Sequence, residues 1–248
     1  MADIREDEAM TLRAAPDTEA RPDRAEAPEA GARPGRRTVP EVERRRDAER
    51  TRADIIDVAT DEFANRGYSG ARVDEIAART RTTKRMIYYY FGGKEQLYLA
   101  VLERAYGEIR AAERSVDVDH LEPVAAIRRL AEVTFDHHEA HPAFIKLVGV
   151  ENAQQAEHMT HVARLVDLNS SAVDLLSGVL ERGQRAGTFR SDVDALDVHM
   201  MISAFCFFRV ANRHTFAALF DRDLLAPTSR QHYRTMLAEM VIGYLRRR

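Results

Sequence analysis

Apolar residues recur at every third or fourth position along most of the chain beyond residue 50, which is the spacing of one buried helix face. Ile55, Ala59 and Phe63 share the first such face, and Gly67 is placed to end that helix. Two short helices are predicted next, the second beginning near Thr83. The inward residues of the first short helix are Val73, Ile76 and Ala77. Those of the second are Ile87, Tyr90 and Phe91.

The helical segments become longer beyond residue 93. They are predicted at about 94–113, 123–139, 143–152, 157–184 and 193–216, and the last helix ends in the arginines 246–248. Asp192 is the predicted N-cap of 193–216, and Thr228 or Ser229 that of the last helix. No segment alternates with period two. We therefore predict an all-α fold in which a small three-helix unit is joined to a larger helical bundle.

Composition divides the chain into three parts. Residues 1–43 contain almost no large apolar side chains and are expected to be a disordered tail; 44–94 form the predicted three-helix unit and 95–248 the bundle. Cys206 is the single cysteine, so no disulfide within the chain is possible. The longest apolar run, 200–208, is too short to cross a membrane, and we expect a soluble cytoplasmic protein with no membrane partner.

Positive charge is concentrated in one part of a chain whose net charge is −3. Residues 66–94 contain seven arginines and lysines but two acidic residues, which gives a local excess of five positive charges. Such a distribution predicts contact with a polyanion at one face of the protein.

The segment 73–91 has the features that a helix-turn-helix needs. Ala77 and Ala78 are small enough for two helices to cross closely. Thr83 is a suitable N-cap, and the helix N-terminus behind it favours a phosphate or a base edge. The outward arc of the second helix, which would enter the major groove, consists of Lys84, Arg85, Tyr88 and Tyr89.

The sequence 88–97, preceded by Gly67–Gly70 and Asp74–Ala77, resembles the DNA-binding domain of the tetracycline-repressor (TetR) family. This resemblance covers about residues 48–105. It implies a homodimer that binds double-stranded operator DNA, a C-terminal ligand-binding bundle, and repression relieved by a small-molecule effector. The DNA-binding residues that the resemblance and the charge pattern indicate are Arg72, Thr83, Lys84, Arg85, Tyr88, Tyr89 and Lys94.

Two positions in the turn depart from the family pattern. Arg81 stands where glycine is usual, so a side chain must tolerate a positive φ, and Thr82 stands where valine is usual. Upstream, Arg44, Arg45 and Arg46 are either a solvated charge run or a flexible arm that contacts phosphate or the minor groove.

Polar residues on apolar faces of the bundle indicate an effector pocket, because a buried polar group needs a partner. The candidates are Thr134, His138, Glu151, Asn169 and Arg209. The alternative for each is that its polar group is satisfied by a local hydrogen bond or lies at the rim of the bundle. The region around His141–Phe144 and Val150–Glu151 is also similar to the pyrimidine-responsive branch of the family. The expected effector is a small polar or planar metabolite.

The last two long helices are expected to form a four-helix dimer interface that includes Met236, Met240 and Tyr244. Two alternatives remain at this stage: a non-specific DNA-packaging protein, and a metal enzyme built on the histidines near 137–141 and 158–161. No catalytic residue, cofactor or metal ligand is assigned, since no HExxH, GxSxG or phosphate loop is present. A regulatory metal ion stays an open alternative.

Overall fold

Ten α-helices follow one another in residues 41–160 and 162–246, the part of the chain that this computed structural model describes. They are α1 Glu41–Gly70, α2 Val73–Arg79, α3 Lys84–Phe91, α4 Lys94–Arg114, α5 Pro123–Ala140, α6 Pro142–Ala153, α7 Ala163–Arg185, α8 Ala195–Ala211, α9 Arg213–Phe220 and α10 Pro227–Leu245. A 3-10 turn covers Val118–His120, and one isolated β-bridge joins Phe189 and Arg246. The all-α prediction is confirmed.

The first helix is interrupted at the glycine that the sequence indicated. Gly67 has φ 67° and ψ 174°, which is not helical, and a short continuation runs to Gly70. Because α1 begins at Glu41, residues 41–43 are helical and do not belong to a disordered tail. Residues 1–40, where the rest of that tail was predicted, lie outside the described residues.

The turn between α2 and α3 has the geometry that its sequence requires. Arg81 adopts φ 53°, the left-handed conformation expected where the family has glycine. The Thr83 hydroxyl accepts a hydrogen bond from the Met86 backbone N–H at 3.2 Å, which confirms Thr83 as the N-cap of α3.

The helices share two hydrophobic cores. One unites α1 to α4 with α6 and Leu165 of α7, so the short N-terminal helices pack on the same core as part of the bundle. The other lies among α5, α7, α8 and α10 and contains Cys206. Burial raises the pKa of the Cys206 thiol to about 12. No helix in the described residues is both long enough and apolar enough to cross a membrane.

Three of the predicted boundaries in the bundle are wrong. Helix α7 begins at Ala163 and not near residue 157, because Gln155 and Ala156 have φ of 56° and 58° and residues 154–160 form turns. Helix α8 is capped by Asp194, whose carboxylate accepts from the Leu196 N–H at 2.7 Å. Asp192 instead pairs with Arg190, and α8 ends at Ala211 before the separate helix α9.

The predicted ends of the last helix are also wrong. Pro227 is the first residue of α10 and Ala226 its N-cap, so Thr228 and Ser229 lie inside the helix. Proline suits this position because its missing N–H would have no helical partner there. Arg246 is extended, and residues 247–248 lie outside the described part of the chain.

Candidate functional site

Helix α3 divides its side chains between a core and solvent. Ile87 and Phe91 are buried and Tyr90 is half-buried against the same core. On the opposite arc Tyr89 is 78% exposed and Tyr88 44% exposed, with Lys84 and Arg85 also exposed. These four residues therefore lie outward, as their spacing predicts, and their contact with DNA stays a prediction.

Several basic side chains around α3 have partners in the free protein. Lys84 Nζ lies 3.1 Å from Asp74 Oδ1. Because this ion pair is exposed and therefore weak, a DNA phosphate can replace Asp74 as the partner of Lys84. Lys94 Nζ lies 4.8 Å from the centre of the Tyr68 ring and 3.4 Å from the Ser69 carbonyl oxygen. Partial burial lowers the pKa of Lys94.

Arg72 precedes α2 and is exposed, and its backbone N–H donates to the buried carboxylate of Glu62 at 3.3 Å. Arg44, Arg45 and Arg46 are exposed on the first turns of α1. They are therefore not a flexible arm in this structure, since helical hydrogen bonds fix their backbone. Any DNA contact they make has to come from a helical extension.

A cavity of about 340 Å³ lies in the bundle among α4, α5, α6, α7 and α8. It is lined by Tyr106, Arg110, His138, Phe144, Val148, Asn152, Asn169, His199, Met200, Ser203, Ala204 and Phe207. A larger groove of about 700 Å³ near the 3-10 turn is lined mainly by charged and small residues at the surface. The smaller cavity combines aromatic walls with buried polar groups, which is the usual character of a small-molecule site.

The polar groups of the cavity are unusually buried. Arg110 is 4% exposed and its Nη1 lies 2.7 Å from Glu113 Oε2, while its Nε has no hydrogen-bond partner among the described residues. Burial raises the pKa of Glu113, and the guanidinium of Arg110 opposes that rise. Burial lowers the pKa of His138 to about 4 and also lowers that of His199, so both imidazoles are neutral at pH 7.

Two of the five predicted pocket residues line this cavity. His138 contributes an Nδ1 that has no partner among the described residues. Asn169 also lines the cavity, and its Nδ2 donates to the Leu165 carbonyl oxygen at 2.7 Å. For these two, effector contact stays a prediction.

The other three predicted pocket residues do not line it; each has hydrogen-bond partners elsewhere, and only Glu151 Oε2 and Arg209 Nε lack one among the described residues. The Thr134 hydroxyl lies 3.0 Å from the Leu130 carbonyl oxygen and 3.3 Å from Glu113 Oε1. Glu151 accepts a hydrogen bond from the Tyr98 hydroxyl at 2.7 Å. Arg209 donates to Glu139 and to the Leu224 carbonyl oxygen, both at 3.0 Å, and its guanidinium lies 3.9 Å from the centre of the Phe135 ring.

Sequence reasoning missed Arg110, Tyr106 and His199. A signal for Arg110 was available: it and Glu113 continue the apolar stripe of α4 that runs through Leu102 and Ile109. Charged residues at the buried end of such a stripe indicate a polar site.

Helix α6 connects the cavity with the DNA-binding helices. Phe144, Val148 and Asn152 line the cavity from this helix. From its other residues, Lys146 Nζ donates to Asn65 Oδ1 of α1 at 2.7 Å, and Glu151 binds Tyr98 of α4. A displacement of α6 would therefore be felt by α1 and α4, which share a hydrophobic core with α3.

The predicted dimer helices each present exposed apolar residues. On α8 an i, i+4 row runs through Leu196, Met200, Ala204 and Phe208, all exposed. On α10 Met240 is 50% exposed and Tyr244 39% exposed, whereas Met236 is partly buried against the core. A surface of this kind favours association with another apolar face.

The chain is similar to known regulators over most of its length. Residues 55–101 match the model for bacterial regulatory proteins of the tetR family, and residues 123–241 the tetracyclin repressor-like C-terminal domain. The HTH-type transcriptional repressor NicS of Pseudomonas putida is 33% identical over 204 residues, which are 82% of this chain and 96% of NicS. The repressor SCO4008 of Streptomyces coelicolor is 34% identical over 167 residues, 64% of this chain and 78% of that protein.

Shorter and structural matches agree with this assignment. The regulator RutR of Escherichia coli is 30% identical over 97 residues, 39% of this chain and 45% of RutR. The crystal structure of the putative transcriptional regulator SCO4942 from Streptomyces coelicolor is similar with a TM-score of 0.60 and 28% identity, over 79% of this chain and 98% of that one. These relatives support neither the DNA-packaging nor the metal-enzyme alternative. The chain belongs to the tetR family of bacterial regulatory proteins and is a helix-turn-helix transcriptional regulator.

Proposed function

We propose that the protein is a repressor that binds a palindromic operator as a homodimer and is released by a small-molecule effector. The observation that carries the proposal is the exposed arc of α3, where two cations and two tyrosines follow a capped helix N-terminus. Repression is supported by relatives named as repressors over most of the chain. Contacts with DNA are assigned to this arc together with Arg72, Lys94 and the helical arginines 44–46.

Dimerisation would follow from the apolar faces of α8 and α10. Two copies of this pair form a four-helix interface in which the row from Leu196 to Phe208 and the residues Met240 and Tyr244 become buried. The two copies of α3 would then enter successive major grooves about one helical turn, roughly 34–36 Å, apart.

The cavity defines the chemistry of the effector. Arg110 offers an unpartnered Nε–H and His138 an unpartnered ring nitrogen, while Tyr106, Phe144 and Phe207 provide aromatic walls. These groups suit a small planar molecule that carries hydrogen-bond acceptors, such as carbonyl or carboxylate oxygens, facing Arg110.

Release would operate through α6. An effector that contacts Phe144, Val148 and Asn152 selects one position of this helix, and Lys146 and Glu151 transmit that position to α1 and α4. The shift in operator affinity is limited by the difference in effector affinity between the two conformations.

Genomic footprinting with the purified protein tests DNA recognition. We expect a few discrete pseudo-palindromic sites, with binding that weakens steeply as salt is raised. Broad protection without a preferred sequence would contradict the proposal. Genes next to the protected sites then supply candidate effectors.

A cavity-filling variant tests the effector site. Ser203→Phe places a ring in the cavity from α8, whereas Ser170→Phe places one on the exposed surface of α7 as a matched control. We expect the first variant to keep operator binding and to lose release by effectors that act on the wild type, and the second to behave as the wild type. Unchanged release in Ser203→Phe would place the effector elsewhere.

A further inference from the structure

Three metal-ligating side chains meet outside both the cavity and the DNA-binding surface. Glu108 comes from α4, His137 from α5, and His141 from the junction between α5 and α6. One ligand atom from each lies within 4.8 Å of the other two, and no other group of three or more such residues within the described chain meets this spacing.

The ring of His141 is oriented as a metal ligand usually is. Its Nδ1 lies 2.9 Å from the backbone carbonyl oxygen of His137. Because a carbonyl oxygen can only accept, Nδ1 carries the proton and donates it. The lone pair is therefore on Nε2, and a hydrogen bond of this kind fixes the tautomer and the ring direction of ligating histidines.

The ring of His137 lacks a partner. The residue is 7% exposed, yet neither Nδ1 nor Nε2 has a hydrogen-bond partner among the described residues. The ring stacks on that of His141 with centroids 4.1 Å apart, so both imidazoles lie at the same corner of the bundle. Buried polar atoms without partners are uncommon, and a bound ion would satisfy one of them.

We propose that Glu108, His137 and His141 bind a divalent transition-metal ion of the Zn²⁺, Co²⁺ or Ni²⁺ class. Two imidazoles and one carboxylate favour these ions over Mg²⁺ or Ca²⁺, which prefer oxygen ligands alone. Metal–ligand bonds of about 2.0–2.1 Å in a tetrahedral site bring the ligand atoms to about 3.3 Å from one another.

Small rotations of the two exposed side chains, Glu108 and His141, can bring their ligand atoms from within 4.8 Å to this shorter distance from the buried His137 ring. The nearest competitor for Glu108 is Arg104, whose Nε lies 3.5 Å away and whose Nη2 pairs more closely, at 2.5 Å, with Asp57. Three protein ligands leave a fourth position for water or an external ligand.

Such an ion would fasten α4 to the corner between α5 and α6. Phe144 lies beside this corner, with its ring centroid 5.9 Å from that of His137, and also lines the cavity. The site is therefore next to the effector cavity, but it depends on neither effector nor operator binding.

Titration of the full-length, untagged protein with Zn²⁺ and with Co²⁺ tests the site by calorimetry, by thermal unfolding and by the visible spectrum of bound Co²⁺. We expect one ion per protomer, a raised midpoint of thermal unfolding, and a Co²⁺ absorption typical of a tetrahedral nitrogen–oxygen site. Glu108→Gln and His141→Ala should each weaken binding by about tenfold or more.

His120→Ala is the matched control. His120 is exposed and lies 2.8 Å from the Asp117 carboxylate, but it does not belong to the group of three ligands. The His120→Ala variant should bind Zn²⁺ as the wild type does. A wild type that binds no Zn²⁺ at micromolar concentrations would overturn the proposal, as would unchanged affinity in Glu108→Gln and in His141→Ala once circular dichroism shows both variants to be folded.

Discussion

Arg81 shows how a single residue stores strain at the helix-turn-helix. Its φ of 53° lies in the left-handed region, which costs a residue with a Cβ roughly 1–2 kcal/mol relative to glycine. The neighbouring backbone N–H groups of Arg81 and Thr82 still reach the Ala78 and Ala77 carbonyl oxygens, so the turn is formed in spite of this cost.

Arg81→Gly should therefore raise the free energy of unfolding. Glycine removes the strain but gives the unfolded chain more conformational freedom, which leaves a net gain of about 0.5–1 kcal/mol. Chemical denaturation measures this difference. Arg81→Ala loses the same charge and keeps the positive φ, so an equal gain in that variant would show that strain is not the cause.

Arg209 is predicted to stabilise the bundle and not to bind the effector. It is 3% exposed and ion-paired with Glu139, so Arg209→Met leaves a carboxylate short of one partner and should lower the free energy of unfolding by about 3 kcal/mol. Arg213→Met is the control, because the pair of Arg213 with Asp223 is about 40% exposed on both sides and should change stability by less than about 1 kcal/mol. Denaturant titration decides; equal effects in the two variants would contradict this role.

At the scale of the element, α3 combines a fixed inner face with an outer face that has few contacts of its own. Ile87 is fully buried, whereas Tyr89 is 78% exposed. Replacing outer residues should therefore change DNA binding with little change in stability.

Lys84→Ala should weaken binding to all DNA sequences. The slope of log affinity against log salt should become shallower by about 2 per homodimer, one for each protomer.

Arg85→Ala should cost about 1–3 kcal/mol of binding free energy per half-site and relax one operator position if Arg85 reads a guanine. Fluorescence anisotropy at several salt concentrations measures both. Arg185→Ala, an exposed arginine at the end of α7, is the control and should leave binding unchanged; equal losses for Arg85→Ala on every sequence would make Arg85 a phosphate contact.

At the scale of the whole molecule, the DNA-binding helices and part of the bundle are one packed body. The core that holds α1 to α4 also contains Phe144, Ile145 and Leu147 of α6. A boundary drawn at residue 94 does not divide the hydrophobic core, and this shared core is the route by which the proposed effector binding at α6 would reach the recognition helix.

Met240→Asp should convert the proposed homodimer into monomers, since it places a charge in the proposed four-helix interface. Sedimentation equilibrium measures the mass of the particle, and operator affinity should fall with it. Val166→Asp, on an exposed apolar residue of α7 that lies outside the proposed interface, should remain dimeric. A dimeric Met240→Asp variant would exclude α10 from the interface.

The helix-turn-helix could be predicted from the sequence because its determinants are local. The Thr83 cap, the positive φ of Arg81, the break at Gly67 and the outward arc of α3 each depend on residues a few positions apart, and the structure contains all four. The ends of α7, α8 and α10 were less predictable, because several nearby residues can cap or continue a helix and packing selects among them.

The effector half was decided by tertiary structure. Periodicity correctly placed Thr134 and Glu151 on buried faces, but the partner of a buried polar group comes from a distant segment: Tyr98 for Glu151, Glu139 for Arg209. In the same way Glu108 is separated in sequence from His137 and His141 and meets them only where α4 crosses α5. The sequence by itself determined which residues form helices, which faces are buried and which arc of α3 is exposed. The packing of those helices decided which buried polar groups satisfy one another and which have no partner among the described residues.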